Sequence, residues 1–283
     1  MSKIVKIILW TLAGLLCLLL PGLYNPLNLV RYEIKAKGLT YPVRIALVTD
    51  LHSCAYGPDQ RELLDVIDRE KPDLILLGGD IYDDDLPDGN TLTFLMGVSS
   101  QYPCYYVPGN HEYWRDDFSE KMAELDSLGI CRIAGQMVSV DVRGDWLNLC
   151  GLDDPYAWEG KGAEKAPADH SFRDQLARLG TLSKEGAYTI LLTHRPECFD
   201  LYASYDFDLV LAGHAHGGQW RIPGIVNGLF APNQGLFPKY AGGRYEQNGT
   251  EMIVSRGLAR ESTKTPRIYN RPELVILNFQ ADQ

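Results

Sequence analysis

Five apolar runs in this chain each stop at a short motif of metal-ligating residue types, and that recurrence most restricts the fold available to it. Residues 45–49 end at Asp50-Leu51-His52, and residues 73–77 at Gly78-Gly79-Asp80. Residues 105–107 end at Pro108-Gly109-Asn110-His111-Glu112, residues 187–192 at His194, and residues 207–212 at Gly213-His214-Ala215-His216-Gly217-Gly218. Short apolar runs bounded by glycine or proline read as fully buried strands. Ligands gathered at strand ends lie where open α/β sheets place their sites. The last motif alone could be a polar turn with two incidental histidines. The other histidines decide against that: of six in the chain, only His170 lacks a strand-end setting of this kind.

The donor set is Asp, Asn and His, which suits borderline-hard divalent ions such as Mn²⁺, Fe or Zn²⁺. No cysteine stands among the candidate ligands, which argues against a structural zinc. The six cysteines show no CxxC spacing, and Cys17 lies in the N-terminal apolar segment, so they form neither a disulfide framework nor a zinc-finger pattern. Cys54, two residues past His52, is expected at the edge of the site. A net charge of -10 excludes the basic face of a general nucleic-acid binder, and no such partner is expected. Part of the acidic excess is Asp83-Asp84-Asp85, close to the expected site; a solvated face is the plainer reading of Asp84 and Asp85.

Before the first strand, Lys3 and Lys6 precede an uncharged stretch from Ile7 to Tyr24. No small-residue cleavage site follows it, and Leu16 precedes Cys17 where a lipoprotein signal would carry a small residue. The expectation is one transmembrane helix, with Trp10 and Tyr24 at the interfaces, anchoring the chain in the cell membrane. The domains are then an anchor over 1–24 and a catalytic body over 25–283. Flanking lysines and arginines and the free cysteines lean toward a cytoplasmic body. Strict alternation in Val30-Arg31-Tyr32-Glu33-Ile34-Lys35 predicts an edge strand. Helices are expected over 58–70, 90–98, 116–128 and 172–179, and further strands over 130–133, 137–142, 146–150, 252–254 and 274–277. Two loops, 153–169 and 223–243, are candidate rims of a site; the second carries Ile225, Val226, Leu229, Phe230, Leu236 and Phe237.

This ordered set of five motifs resembles the calcineurin-like metallophosphoesterases, and the resemblance covers residues 44–218. Beyond it, Gly217-Gly218-Gln219-Trp220-Arg221-Ile222-Pro223, Tyr240-Ala241-Gly242-Gly243 and Val254-Ser255-Arg256-Gly257-Leu258 resemble a bacterial membrane-anchored branch. That branch includes phosphodiesterases and UDP-2,3-diacylglucosamine hydrolases. The resemblance implies an α/β fold, a four-layer α/β/β/α sandwich of two mixed sheets. It implies a first metal held by Asp50, His52 and His216, a second held by Asn110, His194 and His214, and Asp80 as the bridge. It implies His111 as the group that protonates the leaving oxygen or steadies the phosphoryl group, with Asp83 orienting it. Arg195 and Arg256 are expected either to contact phosphate or to serve as salt-bridge partners. The function so implied is metal-dependent hydrolysis of a phosphodiester or pyrophosphate, with a lipid-linked substrate such as UDP-2,3-diacylglucosamine as a candidate. A soluble phosphoester substrate, a non-catalytic binding protein on the same fold, and a dinuclear amide hydrolase are the competing readings.

Overall fold

Alternate side chains of the buried strands face two different cores, and this sets the layering. The computed structural model describes residues 2–159, 171–183, 187–260, 262 and 265–281; His170 and residues 160–169 of the first candidate rim lie outside them. Strands β1 (Asn28–Lys35), β2 (Val43–Val48), β3 (Leu74–Gly78), β4 (Cys104–Val107) and β5 (Cys131–Arg132) enter a first sheet. Strands β6 (Met137–Val142), β7 (Asp145–Gly151), β8 (Tyr188–Leu192) and β9 (Leu209–Ala212) build a second. A hairpin follows, β10 (Phe230–Ala231) and β11 (Gly235–Leu236). The chain then adds β12 (Gly243–Gln247) and β13 (Thr250–Val254) to the second sheet and returns to the first with β14 (Glu273–Gln280).

The first sheet runs β1-β14-β2-β3-β4-β5 and the second β12-β13-β9-β8-β7-β6. Both are mixed: β2, β3, β4 and β5 pair in parallel while β14 meets β2 antiparallel, and β13, β9, β8 and β7 pair in parallel with antiparallel strands at each edge. Ile45 and Leu47 point between the sheets, where they meet Leu149, Ile190, Leu192 and Leu211. Ala46 and Val48 point outward into a core with Leu63, Ile67, Phe94 and Leu125. Those residues come from α2 (Arg61–Glu70), α3 (Gly89–Ser99) and α5 (Phe118–Ser127); a one-and-a-half-turn helix, α4 (Asn110–Trp114), precedes α5. On the far side, Leu191 and Val210 pack against α6 (Phe172–Leu182) and α7 (Phe199–Tyr202). The result is the expected four-layer α/β/β/α sandwich. Burial on both faces is why these strands read as unbroken apolar runs.

The N-terminal segment forms a 20-residue helix, α1 (Lys3–Gly22), whose first turn is capped by the Ser2 hydroxyl accepting from the Val5 amide. The expected membrane span is not supported. Among the described residues no helix is long and apolar enough to cross a membrane. The two lysines occupy its first turns and Pro21-Gly22 its last, so the uncharged helical stretch is short of the roughly 20 residues a span needs. Its C-terminal end touches the body, where the Tyr269 amide donates to the Gly22 carbonyl. Cys54 is buried, with the Arg260 amide donating to its sulfur.

Candidate metal centre

Every candidate ligand leaves the carboxyl end of a strand, and most do so in a backbone conformation that L-residues avoid. Asp50 and His52 follow β2, Asp80 follows β3, Asn110 follows β4, His194 follows β8, and His214 and His216 follow β9. Asp50, His52, Asp80, His214 and His216 have φ of 51°, 47°, 51°, 64° and 46°. Left-handed backbone at non-glycine residues costs on the order of 1–3 kcal/mol each and persists only where the surroundings impose it. Here they do. The Asp50 amide donates to the Gly79 carbonyl, the His52 amide to the Asp80 carbonyl, and the His214 amide to Asp50 Oδ1, which ties the second sheet to the first. Gly109 allows a close approach, because a Cβ there would lie 2.2 Å from Asp80 Oδ1.

Two buried groups of donors result. Asp50, His52, Asp80 and His216 bring one ligand atom each within 4.8 Å of the others, as do Asp80, His194 and His214. Asp80 belongs to both. Asn110 is buried beside them, at the first position of α4. Asp50 Oδ2, His52 Nε2, Asn110 Oδ1 and His216 Nδ1 are buried without a hydrogen-bond partner, and Asp80 Oδ2 meets only the ring nitrogens of His194 and His52. Orphaned polar atoms of this kind are costly. Four of them on residues gathered around Asp80, all of ligand type, fit a pair of divalent cations.

The rest of each imidazole is fixed. His194 Nδ1 lies 2.9 Å from the Gly78 carbonyl, which leaves Nε2 facing Asp80 Oδ2 at 3.0 Å. His52 Nδ1 donates to Asp83 Oδ2 at 3.0 Å, which leaves Nε2 free. His214 Nε2 lies 2.9 Å from both Asn233 Oδ1 and Arg195 Nη1, and its Nδ1 faces His194 Nε2 at 3.2 Å. The Asp83 and Gly78 partners set the tautomer that His52 and His194 need as metal ligands. Burial, aided by Arg195 at His214 and by His52 at His216, holds both imidazoles well below their usual pKa, hence neutral. Burial and then the facing Asp80 carboxylate push Asp50 upward, a penalty that a cation between them would remove.

His111 stands at the rim, on α4 beside Asn110. Its expected partner was Asp83, but Asp83 Oδ2 is 3.9 Å from His111 Nδ1 whereas Asp84 Oδ1 is at 2.5 Å. The reason is local: Asp83 Oδ1 accepts from the Asp85 and Leu86 amides, which turns its other oxygen to His52. Burial lowers the His111 pKa, but Asp80, Asp84 and Asp83 outweigh it and raise it to about 9. Glu112, the next residue, is fully buried and accepts from four backbone amides, those of Asp80, Ile81, Tyr82 and Gly109. It fastens α4 to the Asp80 loop.

Arg195 lines the cavity over these donors, but it is buried and bidentate on Asp154, with Nη1 also donating to Asn233 Oδ1 at 2.6 Å. Arg256 is not brought to the cavity; it lies 3.3 Å from Glu273 and packs on Gly242. The cavity measures about 200 Å³, with Trp114, Tyr156 and Pro232 as its apolar walls. A larger concavity of about 760 Å³, around Arg44, Asp73 and Arg143, lies at the opposite ends of β2 and β3 and holds none of the ligand candidates. Asp84, Glu112 and Asn233 are the functional neighbours that sequence reasoning missed. The first was visible only as part of an acidic run, the second as the last letter of Gly-Asn-His-Glu, and the third only as a turn residue.

The model of the calcineurin-like phosphoesterase family matches residues 43–218. The chain belongs to that family. It is 28% identical over 255 residues to a metallophosphoesterase of Campylobacter jejuni, covering 88% of this chain and 62% of that one. It is 28% identical over 268 residues to the phosphodiesterase YaeI of Escherichia coli, covering 92% and 89%. With a Bos taurus transmembrane protein with metallophosphoesterase domain it shares 29% over 263 residues, covering 84% and 53%. The chain spans between 45% and 62% of the length of the Campylobacter relative and two from Helicobacter pylori. Among solved structures, the NAD nucleotidase of Haemophilus influenzae superposes with a TM-score of 0.52 at 18% identity, over 80% of this chain and 46% of that one, a likeness of fold alone.

Proposed function

We propose that this chain is a dinuclear-metal phosphoesterase that hydrolyses a phosphodiester or pyrophosphate bond. The observation that carries this is the pair of buried donor groups sharing Asp80, with His111 beside them. Asp50, His52, Asp80 and His216 would hold one ion, and Asp80, Asn110, His194 and His214 the other. Ions so held, of the Mn²⁺, Fe or Zn²⁺ kind, activate water near neutral pH and polarise the phosphoryl group. The chain's own groups do the rest. Asp83 and the Gly78 carbonyl keep His52 and His194 in the ligating tautomer. Held at Nδ1–H by Asp84, His111 can give an Nε2 proton to a departing alkoxide. Metal content, measured together with p-nitrophenol release from mono- and bis-p-nitrophenyl phosphate, tests the reading. Two bound ions without hydrolysis of either ester would refute it and favour a binding protein.

The proposal extends to a membrane-linked substrate, such as UDP-2,3-diacylglucosamine, and to the division into an anchor over 1–24 and a catalytic body over 25–283. Supporting it, α1 exposes Ile4, Ile7 and Trp10. The hairpin whose tip residues Pro232 and Asn233 line the cavity exposes Phe230, Leu236 and Phe237. Contiguous apolar exposure of this kind marks an interaction surface. Co-sedimentation with lipid vesicles, lost on removing residues 1–24 and on changing Phe237 to Ser, is the expected result; retention by both variants favours a soluble substrate. The exposed thiol of Cys131 reports the side of the membrane, because an impermeant maleimide leaves it unmodified in intact cells if the body is cytoplasmic.

A further inference from the structure

Helix α4 carries more than Asn110 and His111. Three residues on from His111, and so on the same helix face, Trp114 lays its ring 4.4 Å from the imidazole at an interplanar angle of 50°. The Tyr156 ring meets Trp114 edge-on, with centroids 5.5 Å apart at 90°. The two rings form a right-angled corner of the cavity, and Pro232 faces them from the hairpin tip. The corner is braced from behind. The Arg195 guanidinium lies 5.4 Å from the Tyr156 ring centroid, and Asp154, which holds that arginine, also accepts from the Tyr156 amide. Trp114 nonetheless remains 37% exposed, a large indole left uncovered directly beside the proton donor.

Resting on the proposed phosphoesterase reading, we infer that this corner is a subsite for a planar aromatic ring on the group esterified to the phosphorus. Two features favour a ring. The cavity of about 200 Å³ shares His111, Trp114, His216 and Pro232 with an adjoining hollow of about 360 Å³, so the indole flanks room for a phosphoryl group and a ring beside it. Its apolar walls are π faces and edges set by rigid neighbours, the arrangement on which bases and aryl rings stack. The ring's place beside His111 puts it on the leaving side of the phosphorus. A nucleobase and a plain aryl group share this chemistry. A lipid portion, if the substrate has one, runs outside the corner along Phe230 and Leu236.

The alternative is that the indole only shields His111 from water, in which case its loss affects all ligands alike. The test uses the metal-loaded full chain and three probes, phenyl phosphate, adenosine 5′-monophosphate and methyl phosphate, with affinities read by calorimetry. At least one ring-bearing probe is expected to bind about 10-fold or more tightly than methyl phosphate. If phenyl phosphate alone does so the ring is a plain aryl group, and if the nucleotide does so it is a nucleobase; either supports the subsite. Trp114→Leu, which keeps apolar bulk without a π face, should bring the ratio to within about twofold, and Trp114→Phe should keep most of it. Should Trp114→Leu lose metal, Tyr156→Leu supplies the same comparison, since Tyr156 is not itself a ligand candidate. Equal affinity of the three probes for the wild type, or a preference that survives both leucine variants, overturns the subsite. Failure of the wider reading looks different: two ions bound and no p-nitrophenol released, whatever the probes do.

Discussion

Replacing Asp84 tests whether it, in place of the expected Asp83, orients His111. The structure gives His111 to Asp84 and His52 to Asp83. A hydrogen bond between charged groups contributes about 1.5–3 kcal/mol when buried. The Asp84 and His111 side chains are 31% and 22% exposed, so solvent screening brings the expected contribution to about 1.4 kcal/mol, or tenfold in rate. Asp84→Ala should therefore lower kcat about tenfold with both ions still bound, and more for phenyl than for p-nitrophenyl esters, whose leaving group needs the proton less. The pH profile should move as well. The working form of His111 is protonated and is lost as pH rises through its pKa, which the Asp84 carboxylate raises. Without that carboxylate the pKa falls, and the alkaline limb of kcat moves to lower pH. Asp83→Ala should act on binding instead, weakening the ion at His52 about 10- to 100-fold, with activity restored by excess metal. Leaving-group sensitivity that appears in the Asp83 variant and not in the Asp84 variant would refute this division.

Asp80→Asn removes the carboxylate common to both donor groups, and elemental analysis should show the loss of at least one ion with nearly all hydrolysis. Glu112→Ala leaves four buried amides without an acceptor; set against the burial of the carboxylate itself, the net loss should be about 3 kcal/mol, read as a fall in Tm of about 6–12 °C. A change under about 1 kcal/mol would mean that α4 is held by other contacts. Asn233→Ala removes the oxygen that meets both His214 Nε2 and Arg195 Nη1 and should weaken metal binding about tenfold while Tm stays within about 2 °C, because Asn233 sits on an exposed turn. An unchanged metal titration would show that Arg195 and Asp154 fix His214 unaided.

How far the sequence reached follows from which interactions have a period. Strands such as β2 and β3 are legible because burial on both faces demands unbroken apolar runs, and their ends are legible because polar residues resume there. The edge strand β1 alternates because one of its faces meets water. Pairing between side chains has no such signature. Asp83, Asp84 and Asp85 are consecutive acids, and only the turn made by the Asp85 and Leu86 amides decides which carboxylate reaches which imidazole. Asn233 and Tyr156 reach the site from loops whose course depends on the folded body, not on neighbours in sequence. The N-terminal helix was legible as a helix; the span was not secured, because Lys3, Lys6, Pro21 and Gly22 take up its ends.

The left-handed backbone at the ligands shows why the site needs the whole fold. No local preference puts Asp50, His52, Asp80, His214 and His216 at positive φ, and short peptides of these motifs would relax out of it. The conformation holds because hydrogen bonds cross between elements far apart in sequence. His214 donates to Asp50 across 164 residues, the Leu258 amide donates to the Thr49 and Asp50 carbonyls, and Gly257, at φ +68°, lies where a Cβ would fall 2.5 Å from Asp50 Cβ. Asp50 is thus gripped by the second sheet and by the segment after β13 before any ion is bound. Part of the strain and of the buried, orphaned carboxylate is paid by folding, and cation binding then releases the electrostatic share. Metal should therefore raise the stability of this chain by more than its contacts at any one strand end suggest. A metal-free chain should open first at the loops after β2, β3 and β9, not at the inter-sheet core, and amide exchange with and without bound metal reads the order directly.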